Sequence, residues 1–259
     1  MSKEHRVSEK SREEKINAAF IAMANALMNE YDIVDLLSTL LNACTDIMGV
    51  DAGGILLADS AGELELVAST SEEAQVVETI IIAAGEGPCI DCFNTAAPVS
   101  VPAIEGVAER WPRFHRTALE QGFRSTYAVP MRLRDEVVGV MNLLHSQPGE
   151  TSEEDGRLAQ ALADLAVLGL LHERNFRSPF AITEQLHLAL DTRILIEQAK
   201  GVLAHGEDLT MTEAFNALRQ YAHANGTTLR RVAEAITHRS IPTAEIVSSL
   251  TSARGPAPL

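Results

Sequence analysis

The feature that most constrains this chain is the step at Ser178-Pro179, which separates two stretches with different hydrophobic patterns. Proline disfavours helix at the residue before it, yet it suits the first turn of a new helix. Ahead of the step, helical repeats are mixed with short strand-like runs. Beyond it, helical repeats follow one another with brief joints. The chain is therefore read as a mixed domain followed by an all-helical one, and 259 residues with 46% hydrophobic content suffice for two modest cores.

Residues 1–15 are dense in charge and form an extension. From residue 16, Ile16, Phe20, Met23 and Leu27 recur at amphipathic-helix spacing. A second helix can be capped by Asp32, buried through Leu36, Leu37, Leu40 and Leu41, and ended by Gly49. The runs 54–58 and 64–69 flank Asp59-Ser60-Ala61-Gly62, a hairpin-like turn. A loop-rich insertion follows, with a helix near 111–121, and then two stronger strands, 126–133 and 137–144, joined by Arg134-Asp135-Glu136. An α+β sensor fold is expected, an antiparallel sheet flanked by helices, over residues 16–177.

Ser152 opens a long helix expected to run to about Arg177, with Glu153, Glu154 and Asp155 complementing its dipole. Leu158, Leu162, Leu165, Leu168 and Leu171 step along it like a coiled-coil seam. Residues 178–240 then read as three helices. The first ends at His205-Gly206, the second starts at the capping-box pattern Thr210 to Glu213 and ends at Asn225-Gly226, and Thr227 or Thr228 caps the third. Asn225 is expected to cap with a left-handed backbone. Residues 241–259 form a tail. A bundle this small is marginal alone, so a homodimer through the helical region between Ser152 and Ala204 is expected.

A formal charge of -15 argues against nucleic acid until its distribution is considered. Up to Arg177 there are 14 Lys and Arg against 28 Asp and Glu; beyond it the numbers are 7 and 8, so the second part can carry a basic face. Aromatic content of 4% is low for a single-strand stacking platform. The amino-terminal segment lacks an apolar signal core and no stretch approaches a membrane span, which leads us to expect a cytoplasmic protein.

The residues from Ala189 to Ala233 carry a resemblance. Ala189-Leu190, Arg193, Ile196, Ala199-Lys200-Gly201, Leu203, Ala214-Phe215, Leu218-Arg219, Ala222, Asn225, Leu229 and Val232-Ala233 resemble the ANTAR domain, a three-helix RNA-binding module of bacterial transcription antiterminators. That family usually places serine where this chain has Thr192. Gly85 to Cys89, Arg110-Trp111-Pro112 with Phe114, Ala128 to Met131, and Val138-Gly139 with Asn142 resemble the GAF family of small-ligand sensors. The resemblance implies a GAF-type α+β domain followed by a three-helix ANTAR domain. It names no ligand or cofactor, because GAF domains differ in what they bind.

Thr192, Arg193, Lys200, Gly201 and Arg219 are the candidate RNA contacts. Arg193 and Lys200, seven residues apart, share one helix face about 10.5 Å apart. Glu197 could instead pair with both on a solvated surface. Gly201 adds weight to contact, since glycine inside a helix costs about 1 kcal/mol and lets another molecule approach. Arg219, beside inward-facing Leu218, is expected to be exposed. Arg230 and Arg231 in the first turn of the third helix oppose its dipole and suggest an anion. In the first domain, Cys89, Cys92 and Trp111 are candidates for ligand or redox work; half-buried structural thiols and a hydrophobic lid or core plug are the alternatives. No second cysteine pair completes a zinc site.

No nucleotide-hydrolysing loop, nucleophile elbow or zinc-protease helix is present, so a regulator and not an enzyme is expected. The resemblance implies that two ANTAR modules bind hairpin loops in nascent messages, under control of a signal read by the GAF domain. Two other readings stay open: a DNA-binding helix-turn-helix regulator, which near-neutral charge disfavours, and a module that only pairs with protein.

Overall fold

The structure, a computed structural model, describes residues 12–22, 24, 32–172 and 180–247. In order these form α1 (residues 12–22), α2 (Ile33–Met48), β1 (Ala52–Ala58), β2 (Leu64–Ser69), α3 (Glu72–Ala84), α4 (Pro88–Thr95), β3 (Val99–Val101), a 3-10 turn (Ile104–Val107), α5 (Pro112–Glu120), β4 (Ser125–Leu133), β5 (Glu136–His145), α6 (Glu153–His172), α7 (Phe180–Glu207), α8 (Met211–Ala224) and α9 (Leu229–Thr237). The strands make one antiparallel sheet in the order β2-β1-β5-β4-β3. Strand alternation gives the sheet two buried faces. Ile55 and Leu57 of β1 pack with α2 and α6, whereas Leu56 and Ala58 pack with α3, α4 and α5.

Most expected elements form where the sequence placed them. Asp32 Oδ1 accepts from Val34 N at 2.9 Å and caps α2, which Gly49 ends at φ +68°. The insertion is more helical than expected. α3 buries Ala74, Val77, Glu78 and Ile81, a helical stripe with a carboxylate in the middle. That acid, and the β-branched run beside it, obscured the repeat. α4 starts from Pro88 at its first turn.

The leucine seam of α6 faces largely inward. Leu162 is fully buried with Ala159, Ala163, Ala166, Val167 and Leu170 on the sheet; Leu158 and Leu165 are half-buried and Leu168 is exposed, while the Leu171 side chain lies outside the described residues. The continuation to Arg177 also lies outside them. In α1, Ala19 is buried and Phe20 exposed. The charged extension is not wholly free of the fold, because Arg12 pairs with Asp155 and Glu154 at the start of α6.

In the second part, the Thr210–Glu213 capping box forms, and Thr228 caps α9. Asn225 caps α8 at φ -100°, not in the left-handed region; Gly226, at φ +59°, takes that conformation with no side chain to strain it. Residues 243–247 are helical and Ile246 is fully buried, so the chain stays packed beyond residue 241. The bundle core of Ala199, Leu203, Leu218, Val232 and Ile236 is continuous with the α2 side of the sheet domain. Among the described residues no helix is long and apolar enough to cross a membrane.

Candidate nucleic-acid interface

Four of the five candidate RNA contacts lie on α7. Thr192 is 2% exposed and Lys200 9%. Glu197 holds Lys200, with Nζ 2.8 and 3.0 Å from its two oxygens, and the ammonium stands 5.9 Å from the centre of the Phe215 ring. Arg193 takes a different partner and donates to the Leu66 carbonyl of the edge strand β2. Burial pushes its pKa down, against the nearby acids Glu197 and Glu65. Gly201 is exposed, and a Cβ there would meet nothing within 4 Å. Ile194 and Val202, also exposed, lie on the same side of α7.

The exposure expected of Arg219 is corrected by the structure. Its Nε donates to Asp35 Oδ1 at 2.7 Å and its Nη2 to Thr39 Oγ1 at 2.6 Å, both on α2 of the first domain. Thr39 sends its own proton to the Asp35 carbonyl, leaving a lone pair for the arginine. His223, one turn further along α8, places Nε2 2.8 Å from Asp35 Oδ2. Asp32 reaches the same module: Oδ2 accepts from Arg230 N in the first turn of α9 at 3.0 Å, while Oδ1 caps α2. Burial raises the pKa of Asp32 despite these hydrogen bonds. Arg230 pairs with Glu234, and Arg231 is exposed. The structure thus gathers Arg193, Lys200 and Arg219 along one side of the bundle, against the first domain, and leaves Gly201 open. Sequence reading missed Asp35 and His223. The signal available was an acid in the first turn after Asp32 and a histidine four residues after Arg219.

Inside the first domain, Cys89 and Cys92 are both buried. Burial lifts the Cys89 thiol well above its usual value, helped by Glu78, and lifts Cys92 to about 12. Thiols so protonated are poor nucleophiles. Trp111, 3% exposed, meets Phe114 edge-on at 6.0 Å, and the Arg110 guanidinium lies 4.2 Å over its ring, an arrangement suited to a plug. Beside Cys89 stands a polar cluster that sequence reading missed. Glu78 is fully buried and accepts from Asn142 Nδ2 at 2.6 Å and from Cys89 Sγ at 3.4 Å; Thr126 Oγ1 donates to Asn142 Oδ1 at 2.6 Å. Burial pushes the Glu78 carboxyl up to about 7, against the two hydrogen bonds. A Cβ on Gly54 would stand 2.9 Å from Glu78 Cγ, so glycine makes room for this side chain. Among the described residues, no three His, Cys, Asp or Glu side chains gather as metal ligands.

A GAF domain model matches residues 30–170, and an ANTAR domain model matches residues 184–236. Solved structures resembling the chain include the GAF domain of an Acinetobacter phosphoenolpyruvate-protein phosphotransferase, 19% identical over 68% of this chain and 100% of that one, with a TM-score of 0.45. The corresponding domain from Coxiella burnetii is 16% identical over 61% and 94%, with a TM-score of 0.48. The free methionine-R-sulfoxide reductase of Neisseria meningitidis is 15% identical over 67% and 94%, with a TM-score of 0.46. No curated protein matches the chain.

Proposed function

Because the chain belongs to the GAF family over residues 30–170 and carries an ANTAR domain over residues 184–236, we propose that it is a signal-responsive transcription antiterminator that binds hairpin loops in nascent RNA. The observation that carries this reading is Gly201. It stands inside a 28-residue helix at a cost of about 1 kcal/mol in propensity. No neighbour of the chain needs its missing side chain. What remains is access for an outside group beside Lys200 and Arg193, and RNA loops, with splayed bases and phosphates, are read in this way.

A labelled stem-loop RNA, the same stem with a scrambled loop, and duplex DNA of equal length separate the readings. Loop-dependent binding to the first supports antitermination. Preference for the duplex would favour a helix-turn-helix regulator instead. Lys200→Ala is expected to weaken stem-loop binding and to reduce its salt dependence by about one released counterion. Because Lys200 is nearly buried, loss of its pair with Glu197 and of its place beside Phe215 is expected to lower stability as well, so thermal melts are read beside the affinity. An unchanged salt slope would count against a phosphate contact.

Two copies acting together would present two modules. The helical region between residues 152 and 204 leaves Leu168, Ile194 and Val202 as exposed apolar side chains for such pairing. Sedimentation is expected to give a dimer at micromolar concentration; a monomer with and without RNA would contradict this.

A further inference from the structure

We propose that Arg219, His223 and the amino-terminal turn of α9 form a second phosphate site of the RNA-binding module, held shut by Asp32 and Asp35 of the sensor domain. The inference rests on the RNA-binding reading above and adds to it a site and a gate.

The site is built for an anion. Arg219 and His223, four residues apart on α8, project from one face and grip the two oxygens of a single carboxylate, Asp35, at 2.7 and 2.8 Å. A few residues on, α9 begins with backbone N–H groups at the positive end of its dipole, of which Thr228 Oγ1 already caps Arg231 N at 3.3 Å. Another of these, Arg230 N, is taken by Asp32 at 3.0 Å. An arginine fork, an imidazole and a helix start together offer the kind of donor array that phosphate oxygens fill. Here two carboxylates fill it, and they come from the N-cap and the first turn of α2 in the sensor domain.

Carboxylate and phosphate cannot occupy the same donors, so RNA reaches this site only when α2 and the bundle separate. The other links between the domains bear on the same step. Arg193 is spent on the Leu66 carbonyl of β2. Lys200 lines a cleft of about 60 Å³ whose opposite wall is Ser69, Thr70 and Glu72. A volume of that size admits water and no nucleotide. The arrangement therefore couples RNA affinity to the sensor. Anything that moves α2 relative to α8 changes the fraction of molecules whose site is open, and apparent affinity scales with that fraction.

The test uses the full chain, Asp35→Asn, Arg219→Ala and the double variant, with a labelled stem-loop RNA as probe and hydrogen exchange along α2 and α8 as an RNA-independent readout. Asp35→Asn keeps the shape and removes the competing charge. It is expected to raise stem-loop affinity about tenfold and to speed exchange on α8 without added RNA. The double variant should lose that gain, because no arginine is then left to receive the phosphate. Faster exchange with RNA affinity at or below the wild-type value would overturn the gate while leaving RNA binding intact. Faster exchange with no variant binding any stem-loop RNA would overturn the RNA reading and the phosphate site together. Unchanged exchange in Asp35→Asn would show that the acid does not hold the domains, and would also overturn the proposal.

Discussion

Gly201→Leu is expected to weaken stem-loop RNA binding by about thirtyfold or more, close to 2 kcal/mol, while the folded state is unharmed or slightly more stable. The two halves of this expectation come from different physics. In the RNA-free chain the added side chain enters open space, since nothing lies within 4 Å of the new Cβ. Leucine also favours helix over glycine by nearly 1 kcal/mol. Against RNA, the same side chain stands where a base or the backbone must approach the helix beside Lys200. Affinity and melting temperature therefore move in opposite directions, which general destabilisation cannot produce. Fluorescence titration with the labelled stem-loop and thermal melts of the same samples make the comparison. Sedimentation checks that the added apolar surface has not changed the assembly. Wild-type affinity in Gly201→Leu would remove the observation on which the proposed function stands.

Replacing Glu78 by glutamine should convert a pH-dependent weakness of the sensor core into a constant. Glu78 is fully buried and, among the described residues, has no cation against it; burial raises its carboxyl to about 7 from an ordinary 4.5, while Asn142 and Cys89 oppose the shift only in part. Between these two values the folded chain holds a proton that the unfolded chain has released. Stability from this group is therefore fully present below about pH 4.5, falls as pH rises, and levels off above about 7. The loss is on the order of 3 kcal/mol. Glutamine matches the neutral acid in shape and cannot ionise, so its advantage over the wild type should grow by that amount between about pH 5 and pH 8. Urea unfolding followed by the fluorescence of Trp111, the only tryptophan and part of the same core cluster, reads this locally. A difference that does not vary with pH would mean that Glu78 stays ionised or stays protonated throughout.

The two results bear on separate parts of the molecule. Gly201 concerns what the bundle touches, and Glu78 concerns the face of the sheet on which α3, α4 and α5 pack. Together with Asp35, they probe the sensor interior, the surface between the domains and the exposed helix face independently.

What the sequence determined by itself was local. Caps at Asp32, Thr210 and Thr228, the stop at Gly49, the two hairpins and the all-helical second part follow from interactions among near neighbours, and the chain carries them in plain order. The motif residues around Lys200-Gly201 were legible through their resemblance to the ANTAR family. α3 was not, because its buried stripe contains Glu78, and a carboxylate at a core position reads as surface until its partners Asn142 and Cys89, 64 and 11 residues away, are brought to it. The leucine seam of α6 is divided by the fold, which buries Leu162 on the sheet and leaves Leu168 exposed, a division that the repeat alone does not make. Arg219 was read as exposed because it stands beside inward-facing Leu218; its partner Asp35 lies 184 residues earlier. Only the tertiary structure decides which of several possible charges a side chain meets, since Coulomb attraction and hydrogen bonding depend on distance in space, and the fold alone sets that distance.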